Sequence, residues 1–254
     1  LKRQWNDWLA ARYADTKALA AAWDARNEAP GPEMLRNHGW ADGVKEWNLE
    51  QHRGAKAAFT AADGVATLRI DDPADGGWAV QVNQARLAVK KGGLYTVRFR
   101  AAADRPRTIL ANVMQAHDPW QDLGWQVRFE VGPDWRTFEY TFFTGADDDN
   151  ARFGFIELAQ GGATFRFADL SLRPGGRTGL AADESLEARS IRYPQAAGGR
   201  ALPADERRDW IRFLWETERR HWEAMRRCLV EEIGVQVPVV GTIVATSTPN
   251  LMGE

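Results

Sequence analysis

The spacing of hydrophobic and polar positions changes three times along this chain. Residues 1–30 carry apolar side chains every three to four positions, which predicts short helices. Between residues 43 and 173 the period falls to two, the spacing of strands with one buried face. A helical period returns from Pro203 to about residue 233, and the β-branched run 235–245 then predicts a strand buried on both faces.

The flanking helices are marked by large apolar side chains at helical spacing. Trp5, Trp8 and Leu9 lie at i, i+3 and i+4 within a helix predicted over residues 1–14. Asp15 or the threonine after it can cap a second short helix. The helix predicted from residue 203 to residue 233 has a longer apolar stripe, formed by Trp210, Phe213, Leu214, Trp222, Met225, Leu229 and Ile233.

The central region predicts ten short strands separated by turn residues such as Asp63-Gly64. No helical period interrupts these strands. The predicted fold class is therefore mainly β, an antiparallel β-sandwich (jelly roll) flanked by N- and C-terminal α-helices. The predicted strands cover residues 44–49, 57–61, 65–70, 78–84, 95–101, 108–115, 125–131, 137–143, 152–158 and 164–172.

The order of these regions predicts a β-domain inserted into a loop of an α/β host, an arrangement that is tolerated because domain termini often lie close together. Residues 175–202 are rich in Gly, Ala and Arg, and we expect a linker or a loop that wraps the sandwich. The predicted regions are a helical flank (1–30), a sandwich (35–174), this linker, and a helix plus strand (203–254). We expect the chain to be a segment of a longer protein.

Composition and charge exclude several classes of protein. The 254 residues include 33 Lys and Arg against 35 Asp and Glu, a formal net charge of −2, which argues against a nucleic-acid partner. The longest apolar run is too short to span a membrane, so no membrane partner is expected. Cys228 is the single cysteine and the four histidines lack metal-ligand spacing, which excludes an internal disulfide and cysteine-rich zinc modules.

Four segments of the sandwich region carry motifs in a distinctive order. A strand at 78–84 leads into the run 87–103, and a strand, turn, tryptophan and strand unit at 129–142 precedes a last strand at 165–172. These segments resemble carbohydrate-binding modules of the family 4/9/22 jelly-roll type, and the resemblance covers about residues 35–174. It implies a non-catalytic domain whose partner is an oligo- or polysaccharide, of the plant-type β-glucan or xylan class.

The flanks resemble a different family. Residues 5–23 and 209–242 are similar to helices and a strand of (β/α)₈ glycoside hydrolases. This resemblance implies a host glycoside hydrolase barrel in cis and a secreted or periplasmic parent protein. A glycosidase needs two carboxylates from different barrel strands, and this chain supplies at most one such strand. We therefore expect the segment itself to be non-catalytic, and we interpret Glu254 as a loop carboxylate.

Sugar binding requires an aromatic ring for the apolar face of a pyranose and planar polar side chains for its hydroxyl groups. Trp120, in a polar loop between two strands, is the leading candidate for the stacking ring. The alternative is a loop tryptophan that folds back onto the sandwich. Alternation places Trp125 in the core and turns Gln126 and Arg128 to the opposite face.

Further candidates lie on neighbouring strands and loops. Trp78 lies where related modules place a binding aromatic ring, although a structural position at the sandwich edge is the alternative. Glu157 is a candidate hydroxyl acceptor that would lie at the rim of the core, on the face shared with two phenylalanines. The complete set of candidate ligand-binding residues is Trp120, Trp78, Gln81, Asn83, Gln115, His117, Gln126, Arg128 and Glu157.

A structural calcium is the one cofactor that the resemblance leaves open. Asp169 matches a position that helps to hold calcium in related modules, but one carboxylate cannot supply six to eight oxygen ligands. The acidic run 147–149 is interpreted as a solvated turn. Two functions therefore stay open at this point: a polysaccharide-binding module, and a structural or interaction sandwich with no working sugar site.

Overall fold

A computed structural model describes residues 1–194 and 201–238 of the protein. These residues form two compact units. The sandwich unit comprises residues 26–178 and residue 201, and the helical unit comprises residues 1–25, 179–194 and 202–238. No helix among the described residues combines the length and the hydropathy needed to cross a membrane.

The sandwich unit is built from antiparallel strands, as its alternating sequence predicts. The strands, in chain order, are β1 (Asn27–Glu28), β2 (Asn48–Gln51), β3 (Lys56–Ala62), β4 (Val65–Asp72), β5 (Val80–Val89), β6 (Leu94–Ala103), β7 (Arg107–Gln115), β8 (Asp122–Val131), β9 (Arg136–Phe143), β10 (Asp148–Ile156), β11 (Thr164–Pro174) and β12 (Gly176–Arg177).

Two five-stranded sheets form the sandwich. The first has the order β2-β5-β10-β7-β8 and the second has the order β3-β4-β11-β6-β9. The short strands β1 and β12 pair with each other, with Asn27 opposite Arg177 and Glu28 opposite Gly176, where the chain enters and leaves this unit. The predicted antiparallel sandwich with flanking helices is thereby confirmed.

The core between the two sheets is rich in aromatic rings. Phe153 and Phe155 of the first sheet and Phe165 and Phe167 of the second are fully buried, and the Phe155 and Phe167 rings stack with centroids 4.1 Å apart. Complete burial of one such side chain contributes about 1.5–3 kcal/mol. Trp125 is also buried, as alternation predicts.

Turn chemistry sets several strand boundaries. Asp63 and Gly64 both have positive φ, of 53° and 76°, and close a two-residue hairpin turn between β3 and β4. Several strand boundaries differ from the sequence prediction, and the differences are largest at β2, β5 and β10, the last of which covers residues 148–156 instead of 152–158. Residues 44–47 form a turn, so β2 begins only at Asn48. Trp78 lies in a 3₁₀ turn before β5, and β5 continues to Val89 through an irregularity in its pairing with β10.

The helical unit contains α1 (Lys2–Ala10), α2 (Thr16–Ala22) and α3 (Ala204–Arg227), and a π-helical turn, Cys228–Glu232, follows α3. The carboxylate of Asp15 caps α2 by accepting a hydrogen bond from the backbone N–H of Ala18 at 2.7 Å. The first helix ends at Ala10, four residues before the end of the predicted range of 1–14, and the last α-helical residue is Arg227 instead of residue 233.

The core of the helical unit forms around Trp5, which is fully buried. Its ring stacks on Trp8 and Trp23 at centroid distances of 5.5 and 6.1 Å and also contacts Phe213. Residues 179–194 differ from the expected linker or wrapping loop, because they add three buried side chains to this core: Leu180, Leu186 and Ile191. Few apolar residues suffice here because the tryptophans supply most of the volume.

The end of the chain departs from the predicted amphipathic pattern. Trp222 and Met225, expected on the buried stripe of the last helix, are 37% and 44% exposed. Residues 235–238 are not in a strand, and the remainder of the strand predicted over 235–245 lies outside the described residues, as does Glu254.

Candidate functional site

The outer surface of the first sheet carries a row of amide side chains. The strand register places Asn83 opposite Asn48 and Gly154, Gly154 opposite Asn112, and Asn112 opposite Gln126. Because side chains alternate along each strand, all of these residues point away from the phenylalanine core. We call the outer surface of β2, β5, β10, β7 and β8 the polar face.

A buried ion pair holds the centre of the polar face. Arg152, whose side chain is only 8% exposed, donates from Nη1 to Oε1 of Glu50 at 2.9 Å and from Nη2 to Oε1 of Gln81 at 3.2 Å. The same Glu50 oxygen accepts a hydrogen bond from Nδ2 of Asn83 at 2.7 Å. These contacts fix the Gln81 and Asn83 side chains before any ligand arrives, which lowers the entropic cost of binding.

One acceptor in the polar face has no partner among the described residues. Oδ1 of Asn112 is buried without a hydrogen bond, and Nδ2 of the same side chain contacts Sδ of Met114 at 3.1 Å. A buried polar atom without a partner is unusual in folded proteins, and this oxygen is free to accept a hydrogen bond.

Trp120 stands at one end of the polar face, in the loop between β7 and β8. Half of its surface is exposed, and the Arg152 guanidinium carbon lies 5.3 Å from the ring centroid. Its backbone adopts a φ of 62°, a left-handed conformation that costs a residue other than glycine about 1–3 kcal/mol and that is concentrated at functional sites. Half of the surface of this large ring is therefore open to a ligand.

The loop that carries Trp120 is tied to β10 through His117. Nε2 of His117 lies 3.1 Å from Oδ2 of Asp148, and Nδ1 lies 2.8 Å from the carbonyl oxygen of Asp118. These two hydrogen bonds, first the one to the Asp118 carbonyl and then the one to Asp148, raise the pKa of the His117 imidazole. Gln115 also stabilises the loop, because its Oε1 accepts a hydrogen bond from the backbone N–H of Gln121 at 3.1 Å.

Trp78 stands at the opposite end of the polar face. It is 43% exposed, and it lines a depression together with Gln126, Arg128 and Glu157. The His52 ring lies 5.3 Å from the Trp78 ring and supports it from the side. Trp78 is thus a second accessible aromatic surface.

The two tryptophans lie beside different parts of β10. Trp120 lies beside Arg152, and Trp78 lies beside Ile156, four residues further along this strand. At the rise of an extended strand this interval corresponds to about 13 Å. The polar face is therefore an elongated surface with an exposed ring at each end.

The structure brings most of the predicted site residues together. Trp78, Gln81, Asn83, Gln126, Arg128 and Glu157 share the polar face, and Trp120 borders it. His117 and Gln115 hold the Trp120 loop. Sequence reasoning missed Glu50, Asn112 and Arg152.

Glu157 reaches the polar face by a route that the sequence pattern does not show. Alternation with Phe153 and Phe155 would direct its side chain to the rim of the core. Instead Glu157 has a φ of 61° just after β10 ends, which reverses the direction of its side chain. Its carboxylate accepts a hydrogen bond from Nε of Arg128 at 3.0 Å on the outer surface.

The carboxylate of Asp169, the candidate calcium ligand, is engaged by an arginine. It forms an ion pair with Nη1 of Arg100 at 3.1 Å, and the Asp169 side chain is 63% exposed. The described residues contain no group of three or more His, Cys, Asp or Glu side chains that could hold a metal ion. An arginine in place of further oxygen ligands is unfavourable for a divalent cation.

The carboxylates of Glu50 and Glu157 on the polar face are ion-paired with arginines. Paired, hydrogen-bonded carboxylates suit the positioning of neighbouring amides. An elongated polar surface with an exposed aromatic ring at each end is suited to an extended ligand that has both apolar faces and hydroxyl groups.

Comparison with known proteins identifies the family. The model of the family described as "Carbohydrate binding domain" matches residues 32–159, which is half of the chain. The chain therefore belongs to this carbohydrate-binding family, and its sandwich is a sugar-binding domain. A comparison with curated proteins found no significant match.

Several solved structures are similar to the sandwich. One, titled "CBM4 structure and function", has 28% sequence identity and a TM-score of 0.49, and the match covers 55% of this chain and 99% of that one. The second N-terminal cellulose-binding domain of β-1,4-glucanase C from Cellulomonas fimi has 17% identity and a TM-score of 0.47, over 59% of this chain and 99% of that one. The CBM22-1 xylan-binding domain of Xyn10C from Paenibacillus barcinonensis has 11% identity and a TM-score of 0.42, over 57% and 96% of the two chains.

Proposed function

We propose that the polar face binds a single chain of a neutral polysaccharide, of the β-glucan or xylan class, and that it does so without catalysis. The observation that carries the proposal is the pair of exposed rings, Trp120 and Trp78, at the two ends of a row of fixed amides. The rings offer flat apolar surfaces to sugar C–H groups, and the amides offer donors and acceptors to hydroxyl groups.

The charges of the polar face support a neutral ligand. Two of its arginines, Arg152 and Arg128, are each paired with a carboxylate, Glu50 and Glu157 respectively. An anionic glycan would have to compete with these carboxylates for the guanidinium groups. Arg152 and Ile156, the residues beside the two tryptophans, are about 13 Å apart along β10, and this spacing supports an extended ligand instead of a single monosaccharide.

Isothermal titration calorimetry with soluble β-glucan, xylan and, as a charged comparison, polygalacturonate tests this proposal. We expect Trp120→Ala to weaken binding of the neutral glycan at least about tenfold, and Trp78→Ala to have an effect of the same direction. Trp135→Ala is the matched control, because Trp135 lies between the guanidinium groups of Arg100 and Arg166 on the second sheet. Wild-type protein that binds none of the glycans would refute the sugar role.

We propose further that the parent protein is a glycoside hydrolase that carries this domain as an insertion. The resemblance of the helical segments to barrel helices supports this context. In the parent protein, Trp120→Ala is expected to slow hydrolysis of the polysaccharide and to leave hydrolysis of a small aryl glycoside unchanged. A parent protein without glycosidase activity would contradict the host proposal. Unchanged polysaccharide hydrolysis, together with no glycan binding, would instead favour a purely structural insertion.

A further inference from the structure

The loop between β7 and β8 must hold the Trp120 ring outside the core. Its backbone is closed by hydrogen bonds from the N–H of Gln115 to the carbonyl of Gln121 at 2.9 Å and from the N–H of Trp120 to the carbonyl of His117 at 2.8 Å. Two contacts tie its tip to β10: His117 faces Asp148, and the N–H of Ala116 donates to the carbonyl of Asn150 at 3.0 Å. His117 is thus one of the groups that position the stacking ring.

The two contacts of the His117 ring specify its protonation state. Nδ1 faces the carbonyl oxygen of Asp118 and Nε2 faces the carboxylate of Asp148, at 2.8 and 3.1 Å. Both partners are acceptors. A neutral imidazole carries one N–H, so only the doubly protonated imidazolium can donate to both oxygens at once. Deprotonation must break one of the two contacts or turn a ring nitrogen lone pair toward an oxygen.

The acidic groups around His117 also favour its protonated form. From β10, Asp148 forms the hydrogen bond and Asp149 adds a negative charge, and the loop itself contributes Asp118. The Asp148 side chain is only 3% exposed, and its other oxygen accepts a hydrogen bond from the backbone N–H of Asn150 at 2.8 Å. The nearest cation on the far side of the Trp120 ring is Arg152, which is already paired with Glu50.

We propose that His117 is a positioning residue for Trp120, because the His117 imidazolium ties the loop to Asp148 on β10. Glycan affinity is therefore highest when His117 is protonated and falls when His117 loses its proton. This inference rests on the proposed sugar-binding function. The sign follows from the direction of the pKa shift. A histidine with a raised pKa contributes fully below its ordinary value of about 6.5, and the contribution disappears as the pH rises through the higher value in the folded protein.

Calorimetry between pH 5 and pH 8.5, with the neutral glycan that the wild-type protein binds, tests the affinity. We expect the wild-type dissociation constant to increase roughly fivefold across this range, the factor that the loss of one net hydrogen bond produces. His117→Gln is expected to bind at the weaker level at every pH. His221→Gln is the matched control, because His221 lies on α3 in the helical unit and not on the polar face, and it must retain the wild-type pH dependence.

A second measurement does not need the sugar. Fluorine NMR of protein labelled with 5-fluorotryptophan, with the Trp120 signal assigned from Trp120→Phe, reports the environment of this ring. We expect the Trp120 signal to titrate in parallel with His117 in wild-type protein and to stay constant in His117→Gln. A signal that does not follow His117, or a pH-dependent affinity that persists in His117→Gln, would overturn the inference. If no glycan binds at any pH, the proposed function fails, and the fluorine signal still decides whether His117 positions the ring.

Discussion

Removing the charge of Glu50 should destabilise the sandwich far more than removing the charge of Glu157. In Glu50→Gln, Arg152 stays buried with 8% of its side chain exposed and loses its counter-ion. Breaking a buried ion pair costs about 3–5 kcal/mol. Glu50 itself is 30% exposed, so water can reach the Arg152 guanidinium from that side in the variant. We therefore expect the free energy of unfolding to fall by about 2 kcal/mol. The partner of Glu157 is Arg128, which is 60% exposed, so Glu157→Gln should cost less than about 1 kcal/mol.

Urea unfolding of the two variants, combined with hydrogen exchange of β5 and β10, measures this difference. The double variant Glu50→Gln, Arg152→Met removes both partners of the pair. It should be more stable than Glu50→Gln alone, because no unpaired charge remains in the sheet. Equal losses of stability in Glu50→Gln and Glu157→Gln would refute the reasoning. If the double variant loses as much stability as Glu50→Gln and Arg152→Met lose together as single variants, Glu50 and Arg152 are not coupled.

Three further outcomes are expected. The hydrogen-bonded Arg107 guanidinium lowers the pKa of Asp104 to about 2. Asp104 therefore stabilises the fold above pH 3.8, and this contribution disappears as the pH falls through about 2. When the Tm is measured across this pH window, it should fall less in Asp104→Asn than in wild type. Gly124→Ala should lower the Tm by several degrees, because φ is +112° there and the added Cβ would lie 2.3 Å from a carbonyl oxygen of β9. Gly132→Ala is the control: its added Cβ meets nothing within 4 Å, so the Tm should be nearly unchanged. Phe213→Ala should lower the free energy of unfolding of the helical unit by about 3–5 kcal/mol. Hydrogen exchange should increase in α1 and α3 and stay unchanged in β10. A uniform increase of exchange in both units would contradict this expectation.

The sandwich could be predicted because its signal is local. A strand with one buried face alternates every two residues, and two-residue turns such as Asp63-Gly64 need positive φ at both positions. The same rule placed Trp125 in the core and turned Gln126 outward. The exposed position of Trp120 followed from the polar residues beside it in the loop.

The centre of the polar face could not be predicted, because it depends on register between distant strands. Glu50 and Arg152 are 102 positions apart, and their pairing requires β5 to lie between β2 and β10. Glu157 reaches the polar face because its backbone is left-handed, and the sequence gives no sign of this because the residue is not a glycine. The contribution of residues 179–194 to the helical core was also hidden, because three apolar residues in a polar segment carry little periodic signal.

The pairing of β1 with β12 has a practical consequence for protein engineering. Residues that face each other in an antiparallel pair lie about 5 Å apart, so the chain enters and leaves the sandwich at nearly one point. A segment with such adjacent ends can be grafted into a surface loop of an unrelated scaffold by two short junctions, or circularised and reopened at another turn. Either product would carry the complete polar face, since all of its strands lie between those two junctions.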